Sequence, residues 1–233
     1  MVQLPGPARG RLLHILRILE AAELGGRFPP GGNLPGENPP EGRTFTSAEL
    51  EELSGWPSHT IRKDISYLPG GGDEPDEEKS HAGSAAGYEP RRLIPLIKEA
   101  LGLDRRRKFC VVGLGRLGSA YLNLDPASLG EFELAAGFDS NVNRVEILKS
   151  PAPLYPAYKM GEVITRLDIE IALLCVPAEA AQSAAERLAA ADIRGIVNFA
   201  PVILALPGEE RPAVQNVYMA DELRALAVKM QFM

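Results

Sequence analysis

Three glycines at the end of an apolar run, Gly113-x-Gly115-x-x-Gly118, have the spacing with which a backbone can hold a pyrophosphate. In a strand–turn–helix unit each has its own task. Gly113 permits the tight turn, Gly115 lets the main chain approach phosphate oxygens, and Gly118 lets helix and strand pack closely. Leu114, Arg116 and Leu117 belong to the same loop and first helical turn, whose unpaired N–H groups and positive dipole end favour an anion. A second apolar run, 132–138, ends in Asp139 and Ser140. That is roughly 20 residues beyond Gly118, where such units place a carboxylate for the adenosine ribose hydroxyls. A carboxylate there repels a ribose 2′-phosphate, so NADH is expected to bind more tightly than NADPH, with Arg116 the group placed to offset that repulsion. The bland alternative is a glycine turn in a Rossmann-like domain that holds no ligand.

The elements that must position these groups follow from the apolar pattern. Residues 109–112 read as a buried strand, and Leu117, Ala120, Tyr121 and Leu124 as the apolar face of the helix after it. Further strands are expected at 169–176, 195–198 and 213–217, with helices at 160–166, 178–191 and 220–230. Apolar runs without alternation, separated by helices, predict an α/β fold with a parallel sheet covered on both faces. Val176 and Pro177, and the run Asn198-Phe199-Ala200-Pro201, then fall at carboxyl ends of strands, where ligands of such sheets bind. The last helix carries Leu223, Leu226, Ala227 and Met230 with no strand left to pack beside, so its stripe is expected to serve an interface.

The N-terminal third has a different grammar. A first helix is expected at 9–23, followed by a Pro/Gly-rich stretch, 25–43, that reads as an extended loop. Thr46 and Glu49 form a capping-box pair that opens a short helix, 47–54, and Gly55 breaks it. Ser58 is the expected cap of a third helix, 59–67, with Ile61, Ile65 and Leu68 on one face. His59, Thr60, Arg62, Lys63, Ser66 and Tyr67 remain for the other face and the two ends. Two short helices joined by a tight turn, the second bearing Arg and Lys, suit a helix-turn-helix that reads DNA. A merely solvated basic helix would look the same. Asp73, Glu74, Asp76, Glu77 and Glu78 follow where a wing hairpin would lie, and read most simply as a solvated loop. A helix at 91–102, with Leu93 and Ile97 inward, and the run 105–108 lead into the sheet.

The 233 residues allow one large domain or two modest ones, and a net charge of −6 argues against a dedicated polybasic nucleic-acid binder. Cys110 and Cys175, both in expected strands, read as small buried residues of a reducing cytoplasm, not as a metal pair or disulfide. No apolar run is long enough to span a bilayer, and the N-terminus has no signal-peptide pattern, so a cytoplasmic protein without metal is expected. The three histidines, His14, His59 and His81, all precede the glycine loop, and no acid–base group suited to hydride transfer stands beyond it. No catalytic residues are expected.

Taken in order, the segments 17–20, Ile61-Arg-Lys-Asp-Ile-Ser-Tyr67, Gly87-Tyr88, 113–118, Phe138-Asp139, 176–182, Gly195-Ile-Val-Asn-Phe-Ala-Pro201, 216–217 and 222–223 resemble the Rex family of redox-sensing transcriptional repressors. The resemblance covers nearly the whole chain. It implies a winged helix-turn-helix domain over 1–103, a Rossmann NAD(H)-binding domain over 104–218 and a C-terminal dimerisation helix over 219–233 that the partners exchange. It also implies a homodimer on palindromic operator DNA that lets go when the NADH/NAD+ ratio rises. DNA contact would run through Ser58, His59, Thr60, Arg62, Lys63, Ser66 and Tyr67. Cofactor contact would run through Gly113 to Gly118, Asp139, Ser140, Val176, Pro177, Asn198 and Phe199. Rival readings are a divergent NAD-binding paralogue without DNA binding and an NAD-dependent dehydrogenase. The chain departs from the family pattern in apparent insertions at 25–43 and 69–82, and in Leu124, Asn141 and Tyr218. The family usually has Tyr, a second acid and Asp at those three positions, and the changes at 124 and 218 lead to the expectation of a weakened redox switch.

Overall fold

The computed structural model describes residues 4–23, 44–69, 87–208 and 211–232. The chain forms two compact units, Met1–Arg105 and Arg106–Met233.

Unit 1 is helical. Helix α1 (Gly6–Glu23) starts three residues ahead of expectation, and it packs on α4 (Pro90–Leu101). Pro7 and Pro90 sit in first turns, where a missing N–H costs nothing and the fixed φ suits a helix. Between them stand α2 (Ser47–Ser54) and α3 (Ser58–Ser66). Leu12, Ile15, Leu19, Leu50, Ile61, Ile65 and Ile97 form one buried cluster, so every helix contributes to a single core. The capping box is present: Thr46 Oγ1 accepts from the Glu49 N–H at 3.2 Å, and Glu49 Oε2 accepts from the Thr46 N–H at 2.7 Å. Gly55 ends α2 at φ 75°, a left-handed cap that favours glycine. Ser58 is not the cap of α3: the helix is capped by Pro57, and the Ser58 N–H is taken by Glu51 Oε2 at 2.9 Å. A bridge between Phe45 and Tyr88 pairs the segment before α2 with the segment before α4. The expected loop at 25–43 and the acidic run at 73–78 lie outside the described residues.

Asp64 was not foreseen as buried, yet it is 1% exposed. Arg11 of α1 grips it with two bonds, Nε to Oδ2 at 2.6 Å and Nη2 to Oδ1 at 2.8 Å. This fork fixes the rotation of α3 about its axis. It thereby turns His59, Arg62, Lys63 and Ser66 outward as one exposed stripe. Asp64→Ala leaves the guanidinium without its partner. Because the Arg11 side chain is 25% exposed and can rehydrate, the loss is expected near the low end of about 3–5 kcal/mol. A thermal melt of the variant checks this, and a drop in Tm below about 2 °C would show the pair to be dispensable.

Unit 2 is a six-stranded parallel sheet in the order β3-β2-β1-β4-β5-β6. Its strands are β1 (Arg107–Val112), β2 (Phe132–Asp139), β3 (Leu154–Pro156), β4 (Ile171–Leu174), β5 (Gly195–Asn198) and β6 (Ala213–Asn216). Phe109 and Val111 of β1 pack on one face with Leu114 of the glycine turn and Leu122 of α5 (Arg116–Leu122). Cys110 and Val112 pack on the other face with α7 (Met160–Leu167) and α8 (Ala178–Ala189). The sheet is therefore covered on both sides. The order reverses between β1 and β4, and their carboxyl ends open the crevice where doubly wound sheets bind ligands.

Several local expectations need correction. Strand β3 and the short helix α6 (Val142–Ile147) were not foreseen, because a three-residue strand that follows Pro153 and ends in Pro156 and a six-residue helix carry too little periodicity. Helix α5 spans seven residues and buries Gly118 and Leu122, while Leu117 and Leu124 are exposed. Strand β4 is shorter than 169–176: Ile169 closes the end of α7, and Cys175 lies past the strand although its N–H still reaches Val112 O at 2.8 Å. Both thiols are free, and burial pushes each up to about 12, so neither is a thiolate at neutral pH. The last helix, α9 (Met219–Gln231), buries none of its residues. No helix among the described residues is long and apolar enough to cross a membrane.

Candidate functional site

A cavity of about 570 Å³ opens at the carboxyl ends of β1, β2 and β4. Of the sequence-nominated residues, Gly113, Gly115, Asp139, Ser140, Val176 and Pro177 line it. The three glycines differ in what they make room for. At Gly113, with φ 91°, a Cβ would stand 2.7 Å from the Cys175 carbonyl oxygen, and at Gly118 it would stand 1.9 Å from the Gly113 carbonyl oxygen. Those two are demanded by the protein itself. At Gly115 nothing lies within 4 Å of the added Cβ, at ordinary negative φ. The fold itself makes no demand for glycine there, so this position is open to a group that arrives from outside, such as a pyrophosphate.

Asp139 is tied to the loop it faces. Its Oδ2 accepts from the Leu114 N–H at 2.7 Å and from Arg144 Nη1 at 3.0 Å, and its Oδ1 accepts from the Asn141 N–H at 2.7 Å. Burial opposes ionisation of this carboxyl. The N–H donors of Asn141 and Leu114, then the Arg144 guanidinium, outweigh it and hold the group below the usual carboxylate range. Asp139 thus clamps the glycine turn to the end of β2 as well as facing the cavity. Asn141, noted in the sequence only as a departure, caps α6 by accepting from the Arg144 N–H at 3.3 Å. That cap starts the helical turn from which Arg144 reaches back to Asp139.

The other nominated residues do not line the cavity. Leu114 is buried in the core, Gly118 packs against Gly113, and Arg116 and Leu117 face solvent. Asn198 is 1% exposed and spent on structure: Nδ2 donates to Val202 O at 2.8 Å and Asn216 Oδ1 at 2.9 Å, while Oδ1 accepts from the Ala200 N–H at 3.0 Å. It braces the turn after β5. Phe199 leaves that turn to meet the Tyr121 ring, centroids 5.0 Å apart.

Sequence reasoning missed Arg144, Met160, Ser183 and Arg187, all of which line the cavity. On α8, Ala180, Ser183, Ala184 and Arg187 follow helical spacing on the cavity side, while Ala181, Ala185 and Leu188 face the core. Alanines stand on both stripes, so the pattern gave little contrast. In unit 1 the nominated stripe on α3 is presented as described, with Arg62 Nη1 also donating to Ser47 Oγ at 3.1 Å across the turn.

Residues 104–202 match the model of the CoA binding domain family. A curated relative, the redox-sensing transcriptional repressor Rex of Thermus thermophilus, is 38% identical over 226 residues, 93% of this chain and 89% of its own. The chain belongs to the Rex family. The Rex repressor of Levilactobacillus brevis is 33% identical over 181 residues, 78% of this chain and 80% of its own. The fold is that of the Rex-family repressor RSP. The RSP crystal structure with beta-NADH superposes with a TM-score of 0.74 at 24% identity, over 99% of this chain and 95% of RSP. A second RSP structure, with beta-NAD+ and operator DNA, also gives 0.74, over 99% and 94%. Family membership makes the doubly wound α/β fold and the helical unit ahead of it parts of one Rex architecture.

Proposed function

We propose that this protein is a transcriptional repressor that binds palindromic operator DNA as a homodimer and answers to the NADH/NAD+ ratio. The observation that carries this reading is relatedness across both units: the 38% identity to a Rex repressor spans 93% of the chain. A dehydrogenase would share only the nucleotide unit. Residues 1–103 would then read DNA, 104–218 hold NADH or NAD+, and 219–233 join the two copies, in the cytoplasm and without catalytic turnover. The open backbone at Gly115 and the cavity around it fit a dinucleotide. The stripe His59, Arg62, Lys63 and Ser66 fits a recognition helix laid in a major groove, with Ser58, Thr60 and Tyr67 at its ends.

The switch itself is read as weakened. In the resembled family a Tyr near the nicotinamide and an Asp near the final helix pair in one state, and that Asp meets an Arg of α1 in the other. Here Leu124 and Tyr218 stand at those places, both partly exposed, and Arg17 remains on α1. Asp221, one helical turn beyond Tyr218, is the substitute acid for Arg17, and its exposed pair with Arg224 at 2.5 Å competes for it only weakly. A ligand moves an equilibrium only by its differential interaction with the two states. Losing a charge-assisted bond of about 1.5–3 kcal/mol removes about tenfold or more of that difference. Operator affinity at saturating NADH and at saturating NAD+ is therefore expected to differ by less than about tenfold. Arg62→Ala or Lys63→Ala should each cost operator binding about 1–3 kcal/mol. A 100-fold ratio between the two redox forms would show an intact switch. Unchanged binding in both variants would remove α3 as the reader.

A further inference from the structure

In the dinucleotide reading, the cavity beside Asp139 holds the adenosine half of the ligand. It is bounded by the end of β2 and by α7 and α8, and neither Tyr121 nor Phe199 lines it. A dinucleotide lies across the crevice where the strand order reverses, so its second half continues past Gly115 towards the carboxyl ends of β4 and β5. Two aromatic rings meet there. Phe199 follows β5, and its N–H donates to Leu174 O at 3.0 Å, which ties it to the end of β4. Tyr121 comes from α5, the helix that the glycine turn opens, and its ring centroid lies 5.0 Å from that of Phe199. Both residues are half-buried. Cys175, just past β4, lines the cavity and packs against the same apolar cluster as Tyr121, so it joins the two regions.

We propose that Tyr121, backed by Phe199, is a binding residue for the nicotinamide ring, with its hydroxyl bonded to the ring's carboxamide. The inference rests on the dinucleotide reading of the site. The Tyr121 hydroxyl makes no hydrogen bond to another described residue, so its donor and its acceptor sites are left for a ligand. Burial, and then the nearby Cys175 thiol, push that hydroxyl above the usual tyrosine range, so it keeps its proton at neutral pH and can donate. Leu117, one turn earlier on α5, and Leu124, three residues on, are both exposed. They leave the Tyr121 hydroxyl as the polar group of an uncovered apolar stripe. A flat ring with one polar substituent suits such a surface, where apolar contact supplies area and a single polar group fixes orientation.

The competing role for Tyr121 is to pack on Phe199 and nothing more. Phenylalanine keeps that packing and removes only the hydroxyl, so Tyr121→Phe separates the two roles without a risk to folding. The full chain is titrated by isothermal calorimetry with NADH and with ADP-ribose, which lacks the nicotinamide ring, as wild type, Tyr121→Phe and Tyr121→Leu. The wild type is expected to bind NADH about tenfold or more tighter than ADP-ribose. Tyr121→Phe should weaken NADH about three- to tenfold, the worth of one hydrogen bond, and leave ADP-ribose within about twofold and Tm unchanged. Tyr121→Leu should weaken NADH further, because it also removes the ring. Wild-type NADH affinity in Tyr121→Phe overturns the proposal and leaves the dinucleotide reading standing. So does a loss of equal factor for NADH and ADP-ribose. Binding of neither nucleotide by the wild type overturns both.

Discussion

Gly115→Ala is expected to leave the protein folded and to cost it the dinucleotide, whereas Gly118→Ala should damage the fold itself. The added methyl at 118 would lie 1.9 Å from the Gly113 carbonyl oxygen, a main-chain atom that no rotamer change can move aside. Helix α5 would have to lift from β1, opening the contact of Leu114 and Leu122 with Phe109 and Val111. Such overpacking costs about 3 kcal/mol, the upper end of its usual range because the clash is with main chain, and a large share of a marginal stability. At 115 the methyl meets nothing, and φ −67°, ψ −162° lies at the edge of the extended region, without the positive φ that favours glycine. It would project into the room that the pyrophosphate needs. The penalty in binding should be about 1–3 kcal/mol, roughly 5- to 150-fold in Kd. Thermal melts and NADH titrations of both variants check the pair. A Gly115→Ala protein that binds NADH with wild-type affinity would show that no phosphate passes over this backbone.

The contrast between these glycines marks how far the sequence could be read. The spacing predicts strand, turn, helix and acid, and β1, β2 and β5 lie where the apolar runs place them, with β5 matching at both ends. Which glycine serves the fold and which serves a ligand depends on carbonyls from Gly113 and from Cys175, the latter more than 50 residues away in the chain, so no local pattern holds it. Polar groups were read less well than apolar ones for the same reason. Asn198 was expected to meet the cofactor and Asp64 carried no expectation of burial; the burial of both comes with partners outside their own elements, Arg11 for Asp64, and Val202 and Asn216 for Asn198. Arg144 and Arg187 gave the opposite error. Each is a solitary cation in its own segment, and only the parallel sheet brings the end of β2 and helix α8 to one opening. Hydrophobic periodicity reports which side of an element is covered. It is silent on what two distant elements share.

Removing residues 219–233, or replacing Leu223 and Leu226 by Glu, should convert a dimer into a monomer and weaken operator binding by several orders of magnitude. Met219, Leu223, Leu226 and Met230 are all more than half exposed, and they recur at spacings of four, three and four along α9. That is the seam with which one helix packs on another. A 13-residue helix with no buried side chain is marginal in water, so α9 needs a partner to persist. Like seams self-associate, and a second copy supplies an identical one about a twofold axis. A palindromic operator is then held by two α3 helices one helical turn of DNA apart. A dimer that binds with Kd near 1 nM gains about 12 kcal/mol, and a single half-site retains about half of that. The remaining affinity lies in the tens of micromolar, a loss of about 10⁴-fold. Light scattering reads the mass, and a salt-controlled gel shift reads the affinity. The glutamate variant separates lost association from lost folding, because those side chains already face solvent in the isolated chain and its Tm should follow the truncated protein. A dimer of unaltered mass in either variant would place the interface on another surface of the nucleotide unit, and operator binding should then survive as well.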